Sequence, residues 1–315
     1  MRGNRLLAIV CPGQGSQHPG MLNSWISSEV GRDIINMASN CSSLDLNYFG
    51  TNASKEEISD TSIAQVLITA CSLISAELLQ ISKFSANEII FAGHSVGEIT
   101  AFHLSGIFST QDALAFVSAR GKYMAKSAKE NPNTGMVAIL GGQQDEIINK
   151  LEMMNLTPGN INSQNQIVAA GRNEDLLKLN GNLPRNTKLI KLDVAAAFHT
   201  FFMDSARKNF ADSIKNHNIS NPKYKLITNN QGNLVVDKNV AMNELIAQIS
   251  SPVRWDLCQK TLISSEVSGV LELAPGGTLV GIAKREMPGI EGFAIKSLDD
   301  IPEAKVFMER HTSGT

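Results

Sequence analysis

The stretch Glu88-Ile89-Ile90-Phe91-Ala92-Gly93-His94-Ser95-Val96-Gly97-Glu98-Ile99-Thr100 decides how the chain is read. Ile89 to Ala92 form a short apolar run of the kind a buried strand uses, and a helix is expected to begin near Val96. Between them Gly93-His94-Ser95-Val96-Gly97 fits the G-x-S-x-G spacing of a nucleophile elbow, the strand-to-helix corner that lifts a serine hydroxyl off the end of a sheet. Such a corner is tight, so small residues two places before and two after the serine let the backbones pass. At the start of the helix the Val96 N–H can point at a developing oxyanion. The competing reading of the same residues is a glycine-rich turn in which Ser95 caps the helix.

Upstream, Leu6 to Cys11 reads as another buried strand, followed by the loop Pro12-Gly13-Gln14-Gly15-Ser16-Gln17. Glycines on both sides of Gln14 allow main-chain N–H groups to face a ligand, although an ordinary turn has the same composition. Loops at the carboxyl ends of neighbouring strands converge on one crevice in an α/β sheet, which would bring Gln14 and Ser95 together. Residues 18–60 are polar, with helical pieces, and Thr61-Ser62 is expected to cap an apolar helix from Ile63 to about Leu79. Gln65 is read as an exposed first-turn residue of that helix, with a role at the site as the lesser alternative.

Downstream, the Val96 helix is expected to end near Gly106, and Ser109-Thr110-Gln111-Asp112 has the pattern of a capping box. Ala113, Phe116, Arg120 and Met124 then fall on one helical stripe. A cation on an apolar face must be paired. Its partner is either a protein carboxylate such as Glu98 or a substrate carboxylate, which suits the guanidinium fork.

Asn131-Pro132-Asn133-Thr134-Gly135 is a turn cluster and a candidate domain junction. Beyond it the pattern is strand (Met136–Leu140), helix (Asp145–Met154), two short strands (Asn160–Asn162 and Gln166–Ala170), helix (Asn173–Leu179) and strand (Lys188–Val194). That order is the β-α-β-β-α-β, ferredoxin-like unit. The expected class is therefore α/β: a large α/β-hydrolase-like domain with a parallel sheet (1–130 plus 196–315) and a small inserted domain (131–195). His199 stands where the chain returns from the insert, facing the cleft between the two. Further on, Leu226–Thr228 and Val270–Leu273 read as strands and Leu245–Ile249 as helical. The chain from about Glu291 is expected to be peripheral, with residues 311–315 fraying.

Composition bounds the function. Lys plus Arg number 28 against 30 Asp plus Glu in 315 residues, so nothing points to a nucleic-acid surface. The four cysteines are widely spaced and read as free thiols of a reducing cytoplasm. The apolar run before Cys11 is too short for a secretion signal, and no stretch is read as long enough to span a bilayer.

Taken in order, these motifs resemble the malonyl-CoA:acyl carrier protein transacylases of type II fatty acid synthesis and the related acyltransferase domains of polyketide synthases. The resemblance rests on Pro12 to Gln17, Gly93 to Glu98, Arg120-Gly121-Lys122, Ala197-Phe198-His199, Pro252-Val253-Arg254-Trp255 and Leu273-Ala274-Pro275-Gly276. Cys11 and Ala274 depart from the family's usual aromatic residue and glycine.

The resemblance implies Ser95 as nucleophile, His199 as general base and acid, the Gln14 and Val96 N–H groups as oxyanion hole, and Arg120 as clamp for the malonyl carboxylate. It also implies that the backbone carbonyl of Arg254 orients His199, and that Phe198, with Gln65 as a lesser candidate, sets specificity. Malonyl-CoA and a phosphopantetheinylated acyl carrier protein would be the substrates of a ping-pong reaction. No metal or redox cofactor, nucleic acid or membrane is expected, and the protein would be a cytoplasmic monomer. The alternatives are a stand-alone acyltransferase serving a polyketide synthase, a serine thioesterase or hydrolase, and a non-catalytic carrier-binding module.

Overall fold

The computed structural model describes residues 5–312. Ten strands occur in it: β1 (Leu6–Cys11), β2 (Ile89–Gly93), β3 (Thr134–Leu140), β4 (Thr157–Ser163), β5 (Gln166–Arg172), β6 (Lys188–Lys191), β7 (Lys225–Ile227), β8 (Leu234–Val235), β9 (Val267–Glu272) and β10 (Glu291–Ala294). They form two sheets, one in the order β10-β9-β1-β2-β7-β8 and one in the order β4-β5-β3-β6.

The larger sheet is parallel from β10 to β7, and only β8 runs antiparallel to its neighbour. Parallel strands are covered on both faces and so read as continuous apolar runs. Both β1 and β2 are buried at every position, which is why Leu6–Cys11 and Ile89–Ala92 were legible without any alternation. The two pair in register from Leu7↔Ile89 to Cys11↔Gly93, so the loops that follow them leave the sheet side by side.

Helices pack over this sheet. The helix Thr61–Leu79 is nearly all buried, and its N-cap is Asp60, which accepts from Ser62 N, in place of the expected Thr61-Ser62. At 19 residues it is long and apolar enough by composition to cross a membrane, which corrects the expectation that no stretch reaches that length. It serves as a core helix, with Val66, Leu67, Ile74 and their neighbours in the main hydrophobic cluster. Beside it runs the helix Thr110–Glu130, opened by a Ser109–Asp112 capping box, with Ala113, Phe116, Arg120 and Met124 all buried.

The second sheet is built from residues 134–191 and is antiparallel throughout, with the helices Gln144–Met153 and Asn173–Leu177 between its strands. It is locked to the first unit along β4. Val253 N donates to Gly159 O (2.9 Å), Ile161 N donates to Val253 O (2.9 Å), and Gln259 Nε2 donates to Asn162 O (2.8 Å).

The C-terminal expectation is overturned. Glu291–Ala294 is a sheet strand paired with β9, and the helix Ile301–His311 buries Ala304, Phe307 and Met308 in the main core. His311 is itself buried and bonded to Glu291 and Ser268. The remaining residues of the expected fray, 313–315, lie outside the described residues.

Candidate active site

Ser95 lies two residues beyond the end of β2 at Gly93 and holds φ at 53°, in the left-handed region. Such a conformation is strained for a residue with a side chain and occurs preferentially at functional sites. The flanking glycines are there for space: a Cβ on Gly93 would collide with the Gly97 and Glu98 backbone, and one on Gly97 with the Cys11 carbonyl. The helix Gly97–Leu104 starts immediately, and its N-cap is Val96, with no side-chain cap. The reading of Ser95 as helix cap is thereby overturned. Its Oγ lies instead 2.8 Å from His199 Nε2.

His199 also sits at positive φ, 60°, and is buried with Ser95. Its Nδ1 is 2.9 Å from the main-chain oxygen of Gln248. A carbonyl only accepts, so Nδ1 carries the proton and Nε2 offers its lone pair to the serine hydroxyl. Burial, and then the positive charge of Arg120, push the imidazole pKa down to about 3, against the opposing pull of the Gln248 bond. The ring is therefore neutral near pH 7, ready to take a proton from Ser95.

Gln248, not Arg254, orients the histidine. The Arg254 carbonyl is spent in the first turn of the helix Trp255–Ser264, where it accepts from Leu257 N and Cys258 N at 3.1 Å each. The Gln248 carbonyl belongs to a short 3-10 turn, Gln248–Ser250, at the end of the helix Lys238–Ala247. The Arg254 guanidinium forks onto Asp256 (3.0 and 2.9 Å), away from the histidine.

Arg120 is 1% exposed and its guanidinium reaches only neutral acceptors. Nη1 donates to Gln65 Oε1 (2.7 Å), and Nη2 donates to Gln248 Oε1 (2.8 Å) and to Ser95 Oγ (3.2 Å). The expected exposed position of Gln65 is wrong: it is fully buried and holds the arginine. The Arg120–Glu98 salt bridge is also absent among the described residues. Glu98 is near enough to be felt by Arg120, but burial raises its carboxyl to about 8, leaving it largely protonated near neutral pH. Burial lowers the guanidinium to about 10, so it remains a cation. A buried cation without a protein counter-ion, beside a serine hydroxyl that faces a histidine, has the chemistry to receive an incoming anion.

A cavity of about 330 Å³ opens over Ser95 and His199. Gln14 on the loop after β1, Met136 and Asn160 from the second sheet, and Phe198 also line it. Val96 is buried directly after the serine at the helix start. Thus Gln14, Gln65, Ser95, Val96, Arg120, Phe198 and His199 converge, and Arg254 alone of the expected set does not. Three further residues had no sequence signal: Gln248, Asn229, which binds the elbow, and Asn162, whose Oδ1 is 2.9 Å from His94 Nε2. Each is an uncharged amide in a turn or strand with nothing local to single it out, and only the packing of distant segments brings it to the serine.

The model of the acyl transferase domain matches residues 8–306 of this chain. A malonyl CoA-acyl carrier protein transacylase from Mycobacterium bovis is 43% identical over 299 residues, covering 95% of this chain and 99% of the relative. The crystal structure of a transacylase (MCAT) from Mycobacterium tuberculosis superposes with a TM-score of 0.91 at 42% identity, covering 95% of this chain and 99% of that one. A malonyl-transacylase in complex with a type II polyketide acyl-carrier protein superposes with a TM-score of 0.88 at 25% identity, covering 96% of this chain and 99% of that one.

Proposed function

Because the chain belongs to the acyl transferase domain family, we propose that it transfers malonyl groups from malonyl-CoA to the phosphopantetheine thiol of an acyl carrier protein, through an ester on Ser95. The observation that carries this reading is the contact set of Arg120. A buried guanidinium held by two neutral amides and touching the serine hydroxyl fits an acyl group that ends in a carboxylate.

The geometry supports the following order of steps. His199 Nε2 takes the proton of Ser95 Oγ as the oxygen attacks the thioester carbonyl. The oxyanion that forms is held by the N–H groups of Val96 and Gln14, the first at a helix N-terminus. The C–S bond breaks, and the coenzyme A sulfur leaves with the proton from His199. The carrier's thiol then gives its proton to His199 and attacks the ester, and the proton returns to Ser95 Oγ as the C–O bond breaks. Arg120 holds the malonyl carboxylate through both halves. This sequence calls on no metal or redox group.

We read the larger sheet and its helices, residues 1–130 plus 196–315, as an α/β-hydrolase-like domain, and residues 131–195 as a ferredoxin-like insert. The strand order β4-β5-β3-β6 supports the latter. Four unpaired cysteines fit a cytoplasmic enzyme, and we read it as a monomer. Fatty acid synthesis is the favoured pathway. The resemblance to a polyketide-associated transacylase makes a polyketide carrier the second reading. Intact-mass analysis tests the core of the proposal. Wild type mixed with malonyl-CoA should gain one malonyl group and pass it to a phosphopantetheinylated carrier. Label that persists on Ser95→Ala would refute the assignment of the nucleophile.

A further inference from the structure

The nucleophile's own main chain is gripped on both sides by side-chain amides. Ser95 N donates to Asn229 Oδ1 (2.8 Å), and Ser95 O accepts from Gln248 Nε2 (2.7 Å). Asn229 makes a second bond to the same corner, its Nδ2 donating to Gly93 O (2.6 Å). One amide thus spans Gly93 and Ser95, the two peptide groups between which the chain enters its left-handed turn. Asn229 is fully buried and is fixed in turn by its own backbone: its N–H donates to Glu98 Oε1 (2.6 Å) and its carbonyl accepts from Arg254 N (2.8 Å).

Helix starts commonly leave their first N–H groups unpaired, and at an elbow those groups face the reacting carbonyl. Here the Ser95 N–H is taken by Asn229, so the donor left at the corner is the next one along, Val96 N–H. The choice matters geometrically. Only with Ser95 turned to positive φ does Oγ face His199 Nε2 and Arg120 Nη2 together, at 2.8 and 3.2 Å. A residue relaxing from that strained region would move Oγ out of both contacts; within the elbow Gly97 N donates to His94 O (2.9 Å) and Glu98 N to Ser95 O (3.0 Å), but neither bond holds the Ser95 N–H.

We propose that Asn229 is a positioning residue for the nucleophile, its side-chain amide holding Ser95 in the reactive turn by bridging Ser95 N–H and the Gly93 carbonyl. The inference deepens the acyl-enzyme reading and rests on it. It differs from the roles of Arg120 and Gln248 in one respect that can be measured. Asn229 acts on the serine and makes no bond to the guanidinium; its one link to the clamp is a long bond from Gln248 Nε2 to its Oδ1 (3.4 Å), so its loss lowers nucleophile reactivity towards every electrophile and leaves substrate choice alone.

The experiment uses full-length wild type, Asn229→Ala and Asn229→Asp, with two probes: malonyl-CoA, and an alkyl fluorophosphonate that needs a reactive serine but no malonyl pocket. Asn229→Ala should slow both reactions by the same factor, about ten- to a hundredfold, the range of a sub-ångström to ångström misplacement of a reacting group. Malonyl-CoA affinity, measured in the Ser95→Ala background with and without Asn229→Ala, should stay within about threefold. Asn229→Asp covers the case in which the alanine variant does not fold. A protonated carboxyl can accept from Ser95 N–H and donate to Gly93 O, whereas an ionised one can only accept. The titratable groups that touch it are Glu98 and, at 3.8 Å, the Cys258 thiol, and burial keeps both protonated near neutral pH. The labelling rate of Asn229→Asp should therefore fall, relative to wild type, as pH rises. The proposal is overturned if the fluorophosphonate rate is unchanged in a folded Asn229→Ala, if malonyl-CoA affinity falls as far as the rate, or if the Asn229→Asp ratio is flat with pH. A wild type that takes the fluorophosphonate but not malonyl would defeat the malonyl reading alone, and the fluorophosphonate arm would still judge Asn229.

Discussion

Arg120 and Ser95 are hydrogen-bonded to one another before any substrate is present, Nη2 to Oγ at 3.2 Å. The cation that would receive a substrate's carboxylate and the oxygen that would attack its thioester are therefore set by a single contact. A three-carbon diacid half-ester spans such a pair, and an acyl group without the distal carboxylate leaves the guanidinium unpaired in a buried site.

Arg120→Ala should lower malonyl transfer by about ten- to a hundredfold, the equivalent of the roughly 1.5–3 kcal/mol of a charged hydrogen bond. Acetyl transfer should fall less, or rise, because no buried cation remains unpaired. Competition between malonyl-CoA and acetyl-CoA for the Ser95 ester measures the ratio. Equal losses for both substrates would make Arg120 a structural residue.

The histidine's support gives a second contrast. His199→Ala should slow acylation by about two to four orders of magnitude. Gln248→Ala keeps the carbonyl under Nδ1 but removes the bonds to Ser95 O and Arg120, so rate and malonyl preference should drop together. Arg254→Gln should leave kcat/KM within a few-fold. It breaks the fork to Asp256, at a cost of about 1 kcal/mol or less in stability, held down because Arg254 is partly exposed. Stopped-flow acylation alongside thermal melts separates the three, and a collapse of kcat/KM in folded Arg254→Gln would return the orienting role to that residue.

Phe198 is buried, lines the cavity and precedes His199. An α-methyl branch on the malonyl group would crowd its ring. Wild type should therefore prefer malonyl-CoA over methylmalonyl-CoA, and Phe198→Ser should narrow the gap by about tenfold, the worth of one badly placed methyl. Wild type accepting both equally would remove Phe198 from the specificity argument.

Glu98 ties stability to pH. Its carboxyl ionises at about 8 in the fold against an ordinary 4.5, with burial as the first cause. A carboxyl whose pKa is raised on folding contributes stability that is fully present below its unfolded value and is lost as pH climbs through the folded one. Glu98→Gln keeps an acceptor for Asn229 N and cannot ionise. Its melting temperature should gain on wild type steadily between pH 5 and pH 8. His199 acts in the opposite sense between its folded value of about 3 and the ordinary 6.5, losing stability as pH falls, and contributes equally to both proteins. A constant difference between the two melting curves over that range would show that Glu98 is ionised in the fold.

By itself the sequence determined the elements whose signals are local. Ile89–Ala92 is apolar at every position because a central parallel strand is covered on both faces, and Gly93 and Gly97 are glycines because backbone passes where a Cβ would stand. Ser109 and Asp112 announce a helix start through bonds only three residues apart. Arg120 betrays itself by being charged on an apolar stripe. Where the chain's own bonds are long-range, local reading failed. Gln65 looks like any first-turn glutamine until the helix Thr110–Glu130 packs against its side and presents Arg120. Whether Gln248 or Arg254 faces His199 depends on which carbonyl the next helix consumes, and that is fixed by how a 3-10 turn meets the helix beyond it. Glu291–Ala294 carries too few apolar residues to read as core, and it becomes a strand because β9 offers it an unpaired edge. Residue types chose the chemistry, and the tertiary structure chose the partners, because a hydrogen bond between residues 49 or 134 positions apart leaves no periodicity in the chain.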